Sequence, residues 1–116
     1  MELNVAFGQA LKGMRILRRL PQHKFFGGTS RAYMTLLEQG RRCPTLSKIE
    51  DLAAVLEVHP LSLIVECYLQ GNPDQSLESL FEQITQDLSF DPDEYGPEPA
   101  PLAIAKPAAN STGTKP

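Results

Sequence analysis

The sequence predicts an all-α fold, and three observations support this prediction. Apolar residues recur at steps of three and four through most of residues 5–90, the spacing that places them on one face of a helix. No segment alternates apolar and polar residues as a half-buried strand would. Proline, glycine and small hydroxyl residues stand between the periodic segments, where helices begin and end. The 116 residues suffice for one small domain and a tail.

The first two helices are predicted before residue 29. Helix one runs from residue 5 to about 19, and Asn4 is a candidate for its N-cap. Pro21 can open a short helix two, because the first turn of a helix needs no N–H from it, and Gly27-Gly28 ends this helix. The residues of helix one expected to face the core are Phe7, Ala10, Leu11, Met14 and Leu17.

Helices three and four are predicted from the same signals. Either Thr29 or Ser30 can cap helix three, and Gly40 stops it. Either Thr45 or Ser47 can cap helix four. The residues expected to face the core are Met34 and Leu37 in helix three, and Leu46, Ile49, Leu52, Ala53 and Leu56 in helix four.

The last two helices precede a change in composition. Pro60 starts helix five, and Asn72 and Pro73 open helix six. Residues 91–116 contain six prolines without helical or strand periodicity, which predicts a Pro-rich disordered tail. In helix five the residues expected to face the core are Leu61, Ile64, Val65 and Tyr68. Helix six carries the apolar stripe Leu77, Leu80, Phe81, Ile84 and Leu88, which can pack on the domain or on a second copy.

Charge is divided unevenly along the chain. Residues 1–48 contain nine Lys or Arg and two acidic residues, a net charge of +7, and the rest of the chain carries −10, which gives the overall −3. A basic region on an acidic protein favours selective attraction to a polyanion. The alternative is that the basic side chains only form solvated helix surfaces.

Several classes of protein are disfavoured by the sequence. No apolar run approaches the roughly 18 residues of a membrane span, and no basic-then-apolar leader pattern opens the chain, so a cytoplasmic protein without membrane contact is expected. Cys43 and Cys67 have no second thiol or histidine at ligand spacing, which predicts free thiols and no metal site. The chain shows no catalytic triad order and no phosphate-binding glycine loop after a strand, so we expect no enzyme activity and no cofactor.

Five short motifs occur in order between residues 5 and 70. They are Gln22 at the start of helix two, Ser-Arg-x-Tyr from Ser30, Glu-x-Gly from Glu38, Pro-Thr-Leu from Pro44, and Leu-Ala-x-x-Leu from Leu52 followed by Val-His-Pro. This set resembles the helix-turn-helix domain of the phage repressor and Cro class, the XRE family. The segment from Gln22 to Ser30 is two residues shorter than the usual pattern and contains "FFGG", so the chain resembles a variant with a shortened second helix.

The resemblance implies a five-helix repressor-like domain over residues 1–70 and double-stranded DNA as the partner. The apolar stripe of helix six marks residues 71–90 as an amphipathic helix for possible dimerisation, and the alternative seam is helix five around Leu61, Val65 and Leu69. Helix three would lie in the major groove, where every base pair presents a distinct pattern of donors and acceptors. Arg31 would bond guanine O6 and N7, or alternatively a phosphate. Leu36 would touch a thymine methyl, or alternatively pack under Tyr33 or against a partner. The implied base-contacting residues are Ser30, Arg31, Ala32, Tyr33, Thr35 and Leu36.

The resemblance also implies contacts that carry no sequence information. Arg15 and Glu38 match the positions of an internal ion pair between helix one and the end of helix three. The residues implied to contact phosphates are Gln22, Arg41, Arg42, Thr45, Ser47 and Lys48.

Two functions remain at this point. The first is a homodimeric transcriptional regulator, most simply a repressor, that reads a palindromic operator through the helix beginning near Ser30. The second is an antitoxin or adaptor on the same scaffold, in which helix six and the acidic tail hold a partner protein.

Overall fold

The structure is a computed structural model that describes residues 1–89 and Ala103. Within these residues every regular element is helical, so the all-α prediction is confirmed for them. Apart from Ala103, the predicted disordered tail lies outside the described residues. The chain divides into two compact units, residues 1–77 and residues 78–116. The elements are α1 (Leu3–Leu17), a 3-10 helix (Gln22–Phe25), α2 (Arg31–Glu38), α3 (Leu46–Leu56), α4 (Pro60–Gly71) and α5 (Leu77–Asp87).

The core of the first unit is built around α1, which packs most extensively on α4 and also contacts α2. The helical spacing of its apolar residues puts four of them in the interior, as predicted for Phe7, Ala10 and Leu11. Met34 and Leu37 of α2 are also buried as predicted. The core cluster comprises Ala6, Phe7, Ala10, Leu11, Phe25, Met34, Leu37, Ile49, Leu52, Leu56, Leu63 and Cys67.

The ends of α1 differ from the prediction. The helix begins at Leu3 with Glu2 at the N-cap, so the assignment of Asn4 as the cap was wrong. Leu17 was expected to face the core, but its side chain is 79% exposed because the helix ends there and the chain turns away. Arg19, two residues after the helix, has φ 58°, the left-handed conformation that often terminates helices.

The predicted second helix is a single four-residue 3-10 helix. Pro21 lies at its N-cap with extended backbone, one residue before the helix, instead of inside its first turn. Phe25 is buried, and the Thr29 N–H donates to the Phe25 carbonyl at 2.9 Å. The shortened segment therefore lacks the length for an α-helix but still inserts one aromatic ring into the core.

A close approach of two backbones joins α1 to α2. A Cβ atom placed on Gly8 would lie 2.6 Å from the Leu37 carbonyl oxygen and 2.7 Å from that of Glu38. Gly40, two residues after the end of α2, has φ 75°, and a Cβ atom placed on it would lie 2.7 Å from the Val5 Cα. Glycine is therefore required at both positions, at Gly8 by space and at Gly40 by space and conformation.

Each of the helices α2 and α3 is capped by one of the two residues proposed for it. The Ser30 hydroxyl accepts the Tyr33 N–H at 3.1 Å. The Thr45 hydroxyl accepts the Lys48 N–H at 3.0 Å, so Thr45, and not Ser47, is the N-cap of α3. Leu46 was expected to face the core, but it is the first residue of this helix and its side chain is 76% exposed.

We expect Thr45→Ala to lower the free energy of unfolding by about 1 kcal/mol, because the Lys48 N–H loses its acceptor. Ser47→Ala is the matched control, since it removes a hydroxyl two residues further along the same exposed first turn and should change stability by less than about 0.5 kcal/mol. Urea denaturation of the two variants measures both values. A larger loss for Ser47→Ala than for Thr45→Ala would contradict the cap assignment.

The core-facing residues predicted for α4 were right only in part: Ile64 is half-buried and packs against the core cluster. Leu63 and Cys67 are buried, whereas Leu61 is 57% and Tyr68 50% exposed. Val65, which was also expected to face the core, is only half-buried. The helix carries apolar side chains on both faces, so periodicity alone did not determine which face packs against α1.

The second unit includes most of α5. This helix begins at Leu77, five residues after Asn72, so the predicted start at Asn72 and Pro73 was wrong. Asn72 instead follows the end of α4 as its C-cap. Of the predicted stripe, Leu77, Phe81 and Ile84 are exposed, and Leu80 and Leu88 are half-buried.

Among the described residues, no individual helix combines the length and hydrophobicity of a membrane span. Only the pair α3 and α4, bent by 102° at their junction, passes such a test together, and it does so by length and composition alone.

Candidate nucleic-acid interface

The first turn of α2 presents a small exposed surface. Ser30, Arg31 and Ala32 are all exposed. The Ser30 oxygen accepts the Tyr33 N–H, which leaves the hydroxyl hydrogen to donate to a ligand. The surface therefore offers one hydroxyl donor, one guanidinium and one methyl group within three consecutive residues.

The Arg31 guanidinium lies over an aromatic ring. Its central carbon is 5.8 Å from the centroid of the Phe26 ring, within the range of a cation–π contact. Phe26 is itself half-buried against the core. In the described part of the chain Arg31 has no ion-pair partner, so its five N–H donors are not occupied by a carboxylate.

The other predicted base-contacting residues are less accessible. Tyr33, Thr35 and Leu36 are each half-buried. The Tyr33 ring packs against the core cluster, and the Lys48 ammonium lies 5.7 Å from its centroid. The partial burial of Leu36 leaves less of its side chain for contact with a base, as in the packing alternative considered for it.

Lys48 holds the turn that precedes α2. Its ammonium donates to the Gly28 carbonyl at 2.8 Å and to the Thr29 hydroxyl at 3.1 Å. Thr29 is buried, so this contact ties α3 to the loop after the 3-10 helix. Of the three ammonium donors, one remains for the predicted phosphate contact.

Gln22, which was predicted to contact a phosphate, has one of its two polar side-chain atoms engaged in an internal hydrogen-bond network. Its side-chain N–H donates to Glu38 Oε1 at 3.1 Å. Arg15 donates to the same carboxylate from Nε at 2.6 Å and from Nη2 at 3.1 Å, and from Nη1 to the Leu20 carbonyl at 3.0 Å. The network joins α1, the 3-10 helix and the end of α2, and it contains the Arg15–Glu38 pair that the resemblance implied.

The remaining predicted phosphate-contacting residues lie between α2 and α3. Arg41, Arg42, Thr45 and Ser47 are exposed. Neither arginine forms an ion pair with another described residue. The two guanidinium groups next to the N-terminus of α3 give this segment its positive charge, and helix N-termini themselves attract anions.

The described residues contain no group of three or more histidine, cysteine or acidic side chains that could hold a metal ion. Cys43 is a free exposed thiol and Cys67 a free buried one. Burial raises the pKa of the Cys67 thiol.

Sequence reasoning missed two contributors to this surface. Phe26 supports Arg31, and the Gly28 carbonyl together with Thr29 binds Lys48. The paired phenylalanines beside two glycines were a visible signal, because only one of two adjacent rings in so short a helix can face the core. The contact of Lys48, twenty residues from Gly28, had no local signal.

The comparisons with known proteins found no match: no family description fits the chain, and neither characterised proteins nor solved structures show significant similarity to it.

Proposed function

We propose that this chain is a sequence-specific DNA-binding transcriptional regulator, and that it acts as a homodimeric repressor with a helix-turn-helix built from the 3-10 helix and α2. The observation that carries the proposal is the exposed first turn of α2, where Arg31 stands over Phe26 without a carboxylate partner among the described residues. A guanidinium in this position can bond guanine O6 and N7 together.

The distribution of charge supports the same proposal. In the basic half of the chain the two acidic residues are Glu2 and Glu38, and the Glu38 carboxylate is already paired with Arg15. The exposed cations Arg41 and Arg42 are therefore not neutralised by a described neighbour. Such a surface attracts phosphates and, because phosphate contacts release counterions, its affinity for DNA should fall steeply with salt.

Roles within the proposed interface follow from the contacts. Ser30, Arg31 and Ala32 would read bases, while Arg41 and Arg42 would bind phosphates and fix the register. Gln22 and Lys48 would act mainly by holding the 3-10 helix and the turn before α2 in place, because their polar groups already have internal partners. This division separates specificity from general affinity.

We expect selection from random duplex DNA to enrich a two-fold symmetric motif, and Arg31→Ala to remove one guanine preference from each half-site. The loss of affinity for the selected site should be about 5- to 150-fold per half-site, the equivalent of the ~1–3 kcal/mol that a bidentate contact discriminates. Arg42→Ala is the control among exposed arginines. It should weaken all sequences alike and reduce the log-log salt slope by about 0.9 for each phosphate that the variant no longer neutralises. The proposal fails if the intact chain enriches no sequence.

A partner-protein function is the second candidate, and α5 is the observation that favours it. Leu77, Phe81 and Ile84 form an exposed apolar stripe on a helix of 11 residues. Helices this short are marginal alone, and such a stripe is typical of a helix that binds another surface. Phe81→Glu would then abolish binding of the partner protein while leaving any DNA affinity unchanged.

A further inference from the structure

Three helices of the first unit end in the same backbone motif, with one residue in the left-handed conformation shortly after the helix. After α2 this residue is Gly40, with φ 75°. After α1 it is Arg19, with φ 58°, and after α3 it is Glu57, with φ 60°. Glycine adopts this conformation without a steric cost, whereas a side chain brings Cβ close to the following carbonyl oxygen. Arg19 and Glu57 therefore hold a conformation that glycine would adopt more easily.

Hydrogen bonds show that the three helix ends correspond. At the end of α1 the Arg19 N–H donates to the Ile16 carbonyl at 2.9 Å. The Leu20 N–H donates to the Arg15 carbonyl, also at 2.9 Å. The same pair of bonds, between residues three and five apart in sequence, closes α2 and α3. This is the Schellman motif, and Arg19 occupies the position in it where glycine is the usual residue.

The two exceptions differ in what surrounds their side chains. Glu57 lies three residues before the start of α4, and an acid near a helix N-terminus is favourable. The Arg19 side chain is exposed and forms no ion pair with a described residue. Residues 3–37 contain six Lys or Arg and no Asp or Glu, so its sequence neighbours repel it. A cation does suit the C-terminus of α1, but Arg18 already lies at that cap, so the fold alone gives little reason for an arginine at position 19.

The turn that carries Arg19 is fixed to the proposed DNA-reading helix. Arg15 Nη1 donates to the Leu20 carbonyl at 3.0 Å, and Arg15 Nε donates to Glu38 Oε2 at 2.6 Å. Arg19 is therefore held near the end of α2 that carries Glu38, while Arg31 lies at the other end. The eight residues of α2 span about 12 Å, and the major groove is about 12 Å wide. With Arg31 on a base, the Arg19 guanidinium can therefore reach the phosphates that border the groove.

We propose that Arg19 binds a DNA phosphate and thereby positions α2 in the major groove. The inference rests on the proposed function, and it adds a phosphate contact from the end of α1 to those of Arg41 and Arg42. A guanidinium can bond two phosphate oxygens at once, which fixes orientation as well as position. An unfavourable backbone conformation at an exposed residue is typical of functional sites, where the side chain serves a ligand and not the fold.

Arg19→Gly should change stability and DNA binding in opposite directions. Glycine removes the steric cost at φ 58°, so the melting temperature should rise by about 4 °C. Loss of the guanidinium should weaken binding to selected and unselected duplexes alike, by about five-fold or more for each protomer bound. The log-log salt slope should fall by about 0.9 for each phosphate that the variant no longer neutralises. Thermal melts and duplex titrations of the full chain at several salt concentrations measure these values.

Glu57→Gly is the matched control, because it makes the same replacement at the same position of the motif. It should raise the melting temperature by a similar amount without weakening DNA binding. Arg18→Ala controls for net charge, since it removes an exposed cation one residue earlier, and it should weaken binding by less than about two-fold. Arg19→Lys keeps the charge in the same conformation, so it should retain the salt slope of the intact chain.

The inference is overturned if Arg19→Gly lowers the melting temperature, because the arginine would then serve the end of α1. It is equally wrong if this variant binds duplex DNA as tightly as the intact chain. Equal losses of affinity for Arg18→Ala and Arg19→Gly would show only a diffuse attraction of both charges to DNA, and would also contradict a phosphate contact by Arg19.

Failure of this inference is distinguishable from failure of the proposed function. A chain that enriches a DNA sequence but binds it as tightly with Arg19→Gly refutes only the inference. A chain that binds duplex DNA without sequence preference refutes the proposed regulator, and the same titrations test Arg19 on that binding. A chain without affinity for duplex DNA refutes both, whatever the melting temperature of the variant.

Discussion

Gly8→Ala should destabilise the protein by about 3 kcal/mol or more, although it adds only one methyl group and raises helix propensity. The added Cβ would lie 2.6 Å from the Leu37 carbonyl and 2.7 Å from the Glu38 carbonyl. Both neighbours are backbone atoms, so the clash is relieved only by moving α1 away from α2. Because α2 ends at Glu38, that movement also displaces the proposed DNA-reading helix.

Gly13→Ala is the matched control in the same helix. A Cβ at Gly13 meets nothing within 4 Å, so alanine should stabilise the protein by about 0.5–1 kcal/mol through lower chain entropy in the unfolded state. Thermal unfolding should therefore show opposite signs, with Gly8→Ala lowering the melting temperature by more than about 10 °C. Equal effects of the two substitutions would show that the short approach at Gly8 does not constrain the fold.

Glu38→Gln should lower the free energy of unfolding by about 3 kcal/mol, because it keeps the shape of the side chain but leaves the Arg15 charge without a counter-ion. The pair is well shielded from water, with side-chain exposures of 14% for Arg15 and 5% for Glu38. The interaction is also bidentate and accompanied by the Gln22 bond, which makes it stronger than an isolated surface pair.

A double-mutant cycle separates the pair from the rest of the network. Arg15→Met alone leaves the carboxylate with only the Gln22 donor, whereas Arg15→Met with Glu38→Gln removes both charges. The double variant should be more stable than the sum of the single effects predicts, by about 0.5–3 kcal/mol. Strict additivity would mean that the two charges do not stabilise one another. Urea denaturation with the intact chain as reference supplies all four values.

Local patterns predicted much of the first unit. The buried residues of α1 and α3 follow helical spacing because each of these helices has one apolar face, and Leu11 and Leu52 lie where the pattern put them. In α4 the same rule failed, since both faces are apolar and either could have packed against α1. Leu46 and Leu17 failed for another reason: they lie at helix ends, where the neighbouring segment does not cover them.

The exposure of the first turn of α2 was predictable from the sequence, but the contacts of the neighbouring side chains were not. The exposed turn at Ser30 and Arg31 follows from an N-cap and a helix start, which are local signals. The partners of Gln22 and Lys48 lie 16 and 20 residues away, at Glu38 and Gly28, and depend on how the helices fold back on one another. No pattern within a short segment predicts contacts between residues so far apart in sequence. The resemblance alone assigned these two side chains to phosphates.

The Glu38 carboxylate also bears on how the protein would meet a ligand. It accepts hydrogen bonds from Arg15 of α1 and Gln22 of the 3-10 helix, and it belongs to the last residue of α2. One anion therefore holds together the three elements next to the proposed interface. Because these elements are already held in place before binding, the proposed interface should lose little conformational entropy when it binds a ligand. Association should then be fast and limited by diffusional encounter. Any slow step should come from deformation of the DNA duplex and not from refolding of the protein.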